Sequence, residues 1–272
     1  MSLNRLLLLG IWLLVTVSCG TRLKMDVQQA GEIPLSTDAY VLVLEKNGAT
    51  TPPSKVIASL EIGPSKKGCD YLSVISEAKQ TARQLGGNFL WLTRQEEAKN
   101  GCLYLEAQVF QVPDLAPWTG KIYWDRKRPL KPDDFWADPP LSFTANALTY
   151  SGFFVELEKD LSSDLPRLLT YTFFDPAKSW MLAEDRSNKA LLAHEQVHFD
   201  LSEWVRRDLQ KALNRLNPRR EDFMDQINIT FDQHLLRLDS LQKAYDQETR
   251  HGLDPVEQAK WAQKVAKALE YE

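Results

Sequence analysis

Residues 191–204 read LLAHEQVHFDLSEW. Ala190, His194, Val197, Leu201, Trp204, Val205, Leu209, Ala212 and Leu216 follow one stripe at helical spacing. Ser187 or Asn188 supplies an N-cap and Asn217-Pro218 a stop, so the stretch sits in one long helix. His194 and His198 then lie on or beside the buried face, one turn apart.

Two histidines at i and i+4 stand one above the other, close enough for both imidazoles to reach one tetrahedral Zn²⁺. Glu195 projects about a hundred degrees round the helix, where it serves a water rather than the ion. The segment is thus an H-E-x-x-H arrangement, the metal-binding pattern of zinc peptidases. In that chemistry the metal lowers the pKa of water towards about 7, and Glu195 is the general base.

A catalytic zinc takes three protein ligands and keeps one position open. Downstream stand Glu203, Glu221, Asp232, His234, Asp246 and His251. Glu203, five residues past His198 on the same helix, points away. Ile229-Thr230-x-x-Gln233 has the pattern of a capping box with its preceding apolar residue, so a second helix is expected to begin there and end at Gly252. Asp254-Pro255 then opens a third. If the second helix returns antiparallel, the residue level with His198 lies about 18 positions past Phe231, near Thr249. Asp246 and His251 bracket that level, and either is the expected third ligand. His234 lies most of a helix length away, at the surface.

Upstream, ALTYSGFFVELE (147–158) and LPRLLTYTFF (165–174) have strand character and predict a short antiparallel sheet. Leu165–Phe174, just before the zinc helix, is the expected edge strand for aligning an extended substrate. Further upstream, YVLVLEK (40–46), KVIASLEI (55–62), NFLWLTRQ (88–95) and CLYLEAQVFQV (102–112) read as strands. Between the second and third of these, Val74, Ile75, Ala78, Ala82 and Leu85 mark a helix stopped at Gly86-Gly87. The fold class is α+β: a small N-terminal β-α-β domain over 39–112, a Pro-punctuated link (VPDLAPW), and a C-terminal zincin-like domain over 118–270 with a short antiparallel sheet and long helices.

The first 18 residues read as a secretory signal: Arg5, the apolar run LLLLGIWLLVTV, and Ser18 before Cys19. TVSCG resembles the bacterial lipoprotein signal, which implies lipidation of Cys19, a tether over 19–38, and a place in the bacterial cell envelope, lipid-anchored at the outer membrane. Cys69 and Cys102 remain as an even pair in an oxidising compartment, so a disulfide is expected. Hydrophobic residues make up 43% of the 272 and charged residues 26%, enough to bury a core. A net charge of −4 with no long basic run offers no surface for neutralising phosphates, which argues against nucleic acid as a partner.

GCDYLSVISEAKQTARQLGGN (68–88) resembles part of a small β-α-β module of bacterial envelope lipoproteins. YWDRKRPLKPDDF (123–135), LLAHEQVHFDLSEW and YDQETRHGLDPVEQAKW (245–261) together resemble a bacterial domain family of unknown function described as predicted secreted zinc-dependent proteases. That resemblance implies a metallopeptidase, a hydrolase of protein or peptide substrates, with its third ligand drawn from the Tyr245-Asp246-x-x-Thr249-x-His251-Gly252 block. Two other readings stand beside it. One is a non-catalytic envelope lipoprotein, a binding module with a structural or absent metal. The other is hydrolysis of a non-protein amide such as one in peptidoglycan.

Overall fold

The computed structural model describes residues 23–28, 33–46, 51–63, 69–97, 101–141, 145–163 and 165–270. The expected signal segment 1–18 and the lipidation site Cys19 lie outside the described residues. The molecule is mixed α+β, with three sheets and five α-helices among the described residues.

Five strands and one helix build the N-terminal unit: β1 (Leu23–Val27), β2 (Leu42–Glu45), β3 (Val56–Ile62), α1 (Tyr71–Gln84), β4 (Phe89–Glu97) and β5 (Leu103–Phe110). The strand order is β1-β3-β5-β4-β2; β2 runs parallel to β4 and the other pairs are antiparallel. Asp70 caps α1 by accepting from the Ser73 N–H at 3.0 Å, and Gly86, at φ 80°, ends the following turn in the left-handed region. Val74, Ile75, Ala78 and Ala82 turn onto the sheet and meet Leu60, Leu90, Leu92 and Leu105. Phe89, Trp91 and Phe110 face the other way, against Val112 and Leu115. Burial on both faces explains why the strand is continuously apolar from Phe89 to Leu92 rather than alternating. A disulfide joins Cys69 to Cys102, and the Leu103 N–H donates to the Cys69 carbonyl at 2.7 Å, so the start of α1 is tied to β5. Part of the stretch read as a tether is a strand: β1 pairs with β3 from Leu23↔Ile62 to Val27↔Ala58. Its alternation spans only five residues, too few to register against the polar sequence around it.

The connecting segment carries α2 (Ala116–Thr119) and β6 (Ile122–Tyr123), and beyond it come β7 (Ala147–Leu148), β8 (Ser151–Asp160), β9 (Leu165–Phe174) and β10 (Trp180–Met181). The hairpin β8–β9 is in register from Ser151↔Phe174 to Asp160↔Leu165, and β6 adds to the far side of β9. Leu165–Phe174 is therefore the central strand of three, not an edge. Gln210 also occupies that side: its Oε1 accepts from the Thr170 N–H at 2.9 Å. The Gln210 Nε2 also donates to the Leu168 carbonyl at 2.9 Å and Trp124 N to the Thr172 carbonyl at 3.1 Å, so β9 is engaged on that side from Leu168 to Phe174.

Three helices complete the chain: α3 (Lys189–Leu213), α4 (Phe223–Thr249) and α5 (Pro255–Glu270). The Asn188 side chain caps α3, accepting from Ala190 N and Leu191 N at 3.1 Å each. Val197, Leu201, Val205 and Leu209 pack on Phe153 and Leu168 of the hairpin and on Leu238, Tyr245, Trp261 and Val265 of the other helices. Contacts of His198 with Asp246, and of Asp208 with Arg237, show α4 running antiparallel to α3. The start of α4 differs from the expectation at Thr230: it begins two turns earlier, and the Thr230 hydroxyl instead donates to the Gln226 carbonyl at 2.6 Å. A Thr inside a helix can make that backward bond, so a capping-box pattern alone does not place an N-terminus.

The two units are joined through charge. Arg83 of α1 donates both terminal nitrogens to Glu158 of β8 at 2.8 and 2.6 Å, with the side chains 2% and 1% exposed. Lys79 pairs with Glu156, and the Lys159 N–H donates to Ser76 Oγ at 2.7 Å. Helix α1 thus covers the otherwise open edge of β8. No helix among the described residues is long and apolar enough to cross a membrane.

Candidate metal centre

His194 and His198 face α4 from the second and third turns of α3, and Asp246 meets them from the last turn of α4. The Nε2 atoms of the two histidines are 3.1 Å apart. Asp246 Oδ1 lies 3.0 Å from His198 Nε2 and 3.2 Å from His194 Nε2. Each histidine turns its other nitrogen outward: His194 Nδ1 meets Gln258 Oε1 at 3.1 Å, and His198 Nδ1 meets Gln242 Oε1. An amide oxygen only accepts, so Nδ1 carries the hydrogen and Nε2 presents a lone pair. Three electron-pair donors therefore converge on one point, which is repulsive unless a cation or a proton lies between them.

The donor set fits zinc. Bonds of 2.0–2.1 Å in a tetrahedral arrangement need ligand atoms about 3.3 Å apart, and the three separations here are 3.0–3.2 Å. Electrostatics agree in direction. Burial pushes Asp246 up, but its hydrogen bonds and charge interactions with His194 and His198 hold it well below the usual carboxylate range. Burial depresses His198, yet the bond to Asp246 and the Glu195 and Asp246 charges outweigh it, so its pKa is raised.

Of the two residues left open as third ligand, Asp246 is the one brought to the cluster. His251 is 76% exposed at its side chain, and its Nδ1 is 3.6 Å from Asp246 Oδ1. The turn explains the difference: α4 stops at Thr249, and Arg250 and His251 take positive φ, 49° and 56°, swinging the His251 side chain off the helix face. Thr249, fully buried, donates to the Tyr245 carbonyl at 2.7 Å and accepts from the Gly252 N–H at 3.2 Å. Gly252, at φ 81°, passes so close to His194 that a Cβ there would sit 3.1 Å from the ring. The Tyr245 ring stacks on His194 at 4.7 Å, and its hydroxyl donates to the His194 carbonyl at 3.3 Å. His234 sits mid-helix, its Nδ1 on the Thr230 carbonyl at 2.7 Å, away from the cluster. Glu203 also points away, accepting from Arg206, Arg207 and Thr172.

Glu195 is 3% exposed, and its Oε2 is buried with no hydrogen-bond partner among the described residues. A buried carboxylate oxygen without a donor is costly unless a bound water or substrate group supplies one. Glu195, His194, His198 and Asp246 all line a cleft of about 1080 Å³ between α3, the end of α4 and the segment 145–151. A smaller hollow of about 350 Å³ near Arg215 and Phe223 holds none of these groups. In the 145–151 segment β7 pairs with β10 along one edge only. Leu182 N donates to the Asn146 carbonyl at 2.9 Å, so Asn146 and Leu148 turn their main-chain groups to β10, and Ala147 and Thr149 turn theirs the other way. No hydrogen bond reaches the Ala147 or Thr149 main chain from the described residues.

Gln242 and Gln258 do not stand out in the sequence as partners of the two histidines. Gln242 stands one helical turn before Asp246, a spacing that could have marked it; nothing in the sequence marks Gln258. No curated protein and no solved structure matches the chain. The segment from residue 155 to 252, which carries both histidines, Glu195 and Asp246, is similar to a family described as bacterial protein of unknown function (DUF922).

Proposed function

We propose that the C-terminal domain is a zinc-dependent metallopeptidase of zincin type, lipid-anchored through Cys19 in the bacterial envelope. The observation that carries the reading is the convergence of His194 Nε2, His198 Nε2 and Asp246 Oδ1 within 3.2 Å of one another, beside the unpartnered buried Glu195 oxygen. These three atoms would hold the metal. Bound there, zinc supplies Lewis acidity towards water and a carbonyl oxygen. Glu195 takes a proton from the attacking water and passes it to the leaving amine nitrogen. Tyr245 and Gly252 fix the His194 ring, and the Thr249 turn holds Asp246 in line with it.

Amide hydrolysis as such would suit a peptide or a peptidoglycan stem equally. The open edge of β7 favours the peptide: Ala147 and Thr149 offer main-chain donors and acceptors along the cleft, which an extended polypeptide can meet as an added strand. The segment 145–151 takes over the aligning role that the sequence suggested for Leu165–Phe174. Apolar side chains from Leu191, Leu235, Leu238 and Leu253 line the same cleft. The test is hydrolysis of a mixed quenched-fluorescent peptide library by wild type and Glu195→Gln at equal zinc content. Cleavage lost in the variant supports the mechanism. Zinc bound with no cleavage by either protein would move the balance to a non-catalytic envelope module with a structural metal.

A further inference from the structure

One glutamine amide meets each histidine at Nδ1 and is tied by its other end to the same residue's main chain, directly for His198 and through Tyr245 for His194. Gln242 Oε1 accepts from His198 Nδ1, and its Nε2 donates to the His198 main-chain carbonyl at 3.1 Å. Gln258 Oε1 accepts from His194 Nδ1 at 3.1 Å, and its Nε2 donates to the Tyr245 hydroxyl at 2.5 Å. That hydroxyl in turn donates to the His194 carbonyl at 3.3 Å. The two circuits have the same logic, closed directly on His198 and through Tyr245 on His194. The NH₂ end of Gln242 meets a carbonyl, which cannot donate, so that amide cannot turn over and offer a donor to Nδ1; Gln258 is held the same way round because the Tyr245 hydroxyl gives its one hydrogen to the His194 carbonyl. Each ring is confined to the form with hydrogen on Nδ1, and its Nε2 lone pair stays aimed at Asp246.

We propose that Gln242 and Gln258 are positioning residues of the metal centre, each locking one ligand histidine in its Nδ1–H tautomer, and that α5 thereby belongs to the site. The metal part rests on the function proposed above; the tautomer part does not. Gln258 lies beyond residue 252, outside the segment similar to the bacterial family. The remainder of α5 supports its placement: Trp261 donates from Nε1 to Glu248 Oε2 at 2.7 Å and packs on the Tyr245 ring at 5.5 Å. Both glutamines are neutral, so the protein charge at the centre is that of Asp246 with Glu195 alongside. The clamps steer the rings without adding negative charge of their own.

The experiment uses the protein with its zinc removed and returned. Zinc affinity is measured by chelator competition for wild type, Gln258→Leu, Gln242→Leu and Gln258→Glu. Long-range proton–nitrogen NMR of the metal-free proteins, well above the histidine pKa range, reads the tautomer of each ring. Loss of an outer partner of this kind weakens zinc by about 10–100-fold. The proposal expects that loss in both leucine variants, with His194 alone acquiring Nε2–H in Gln258→Leu and His198 alone in Gln242→Leu. Gln258→Glu should recover most of the affinity, because its carboxylate still accepts from Nδ1–H. Leucine variants that keep the wild-type tautomers and bind zinc within about twofold of wild type would overturn the proposal. A wild type that binds no zinc would defeat the metallopeptidase reading, while the tautomer comparison would still decide on the clamps.

Discussion

Replacing Gly252 by alanine perturbs backbone and metal centre at once. The residue has φ 81°, a region that costs an L-residue roughly 1–2 kcal/mol. The added methyl carbon would lie 3.1 Å from His194 Cγ and Nδ1 and 3.2 Å from its Cβ, several tenths of an ångström inside normal contact. His194 has little room to retreat, with the Tyr245 ring stacked on it at 4.7 Å and Gln258 holding Nδ1. The ring must tilt, and Nε2 leaves its 3.2 Å approach to Asp246. A destabilisation of about 1–2 kcal/mol lowers Tm by roughly 2–8 °C in a protein of this size. Zinc affinity should fall about tenfold or more, since ligand placement and not ligand identity has changed. Differential scanning calorimetry of the metal-free protein and chelator competition separate the two effects. A variant with wild-type Tm and wild-type zinc affinity would refute both the close approach and the role given to the turn.

Further expectations follow from other contacts. Asp246→Ala should abolish tight zinc binding while His251→Ala leaves it within a few fold, as measured by competition; the reverse order would make His251 the ligand. Arg83→Met leaves Glu158 buried at 1% exposure with Lys79 as its remaining cation among the described residues, at 3.8 Å. It should cost about 3–5 kcal/mol in chemical denaturation, and the loss should be largely recovered in Arg83→Met/Glu158→Leu. In the metal-free protein the raised pKa of His198 contributes stability below its unfolded value, about 6.5, which is lost as pH rises through the folded value. The lowered pKa of Asp246 contributes stability above about 3.9, lost on acidification. The pair is therefore most stabilising between these limits, and the gain in Tm from added zinc should grow with pH as the competing proton leaves. A zinc-induced shift in Tm that is flat from pH 6 to about pH 8 would contradict the shared role of His198.

The sequence showed most of what local pattern can carry. The stripe around His194 was long enough to establish α3 and its buried face, with the cap narrowed to Ser187 or Asn188, of which Asn188 is the one used, and these place two donors and Glu195 together. The β8–β9 hairpin was readable because its two strands are each 10 residues long. What the sequence hid depends on long-range placement. The helix-length estimate assumed a start at Thr230; α4 in fact begins at Phe223 and α3 ends at Leu213, so both ends of the estimate shifted. It still reached the right turn because the two helices meet at Tyr245 and Asp246. The choice between Asp246 and His251 depended on left-handed φ at Arg250 and His251, residues whose side chains give no warning of it. The covering of β8 by Lys79 and Arg83 was equally out of reach, since on a helix these read as solvated charges.

The most direct test of the central claim is metal content. The lipid-free protein beginning at residue 20, dialysed against low zinc, is to be analysed by plasma mass spectrometry beside Asp246→Ala and His194→Ala. The account predicts about one zinc per chain in the wild type and close to none in either variant. Metal absent from all three, or retained in the variants as in the wild type, would contradict it: the convergence of His194, His198 and Asp246 would then be a protonated hydrogen-bond cluster and not a metal centre.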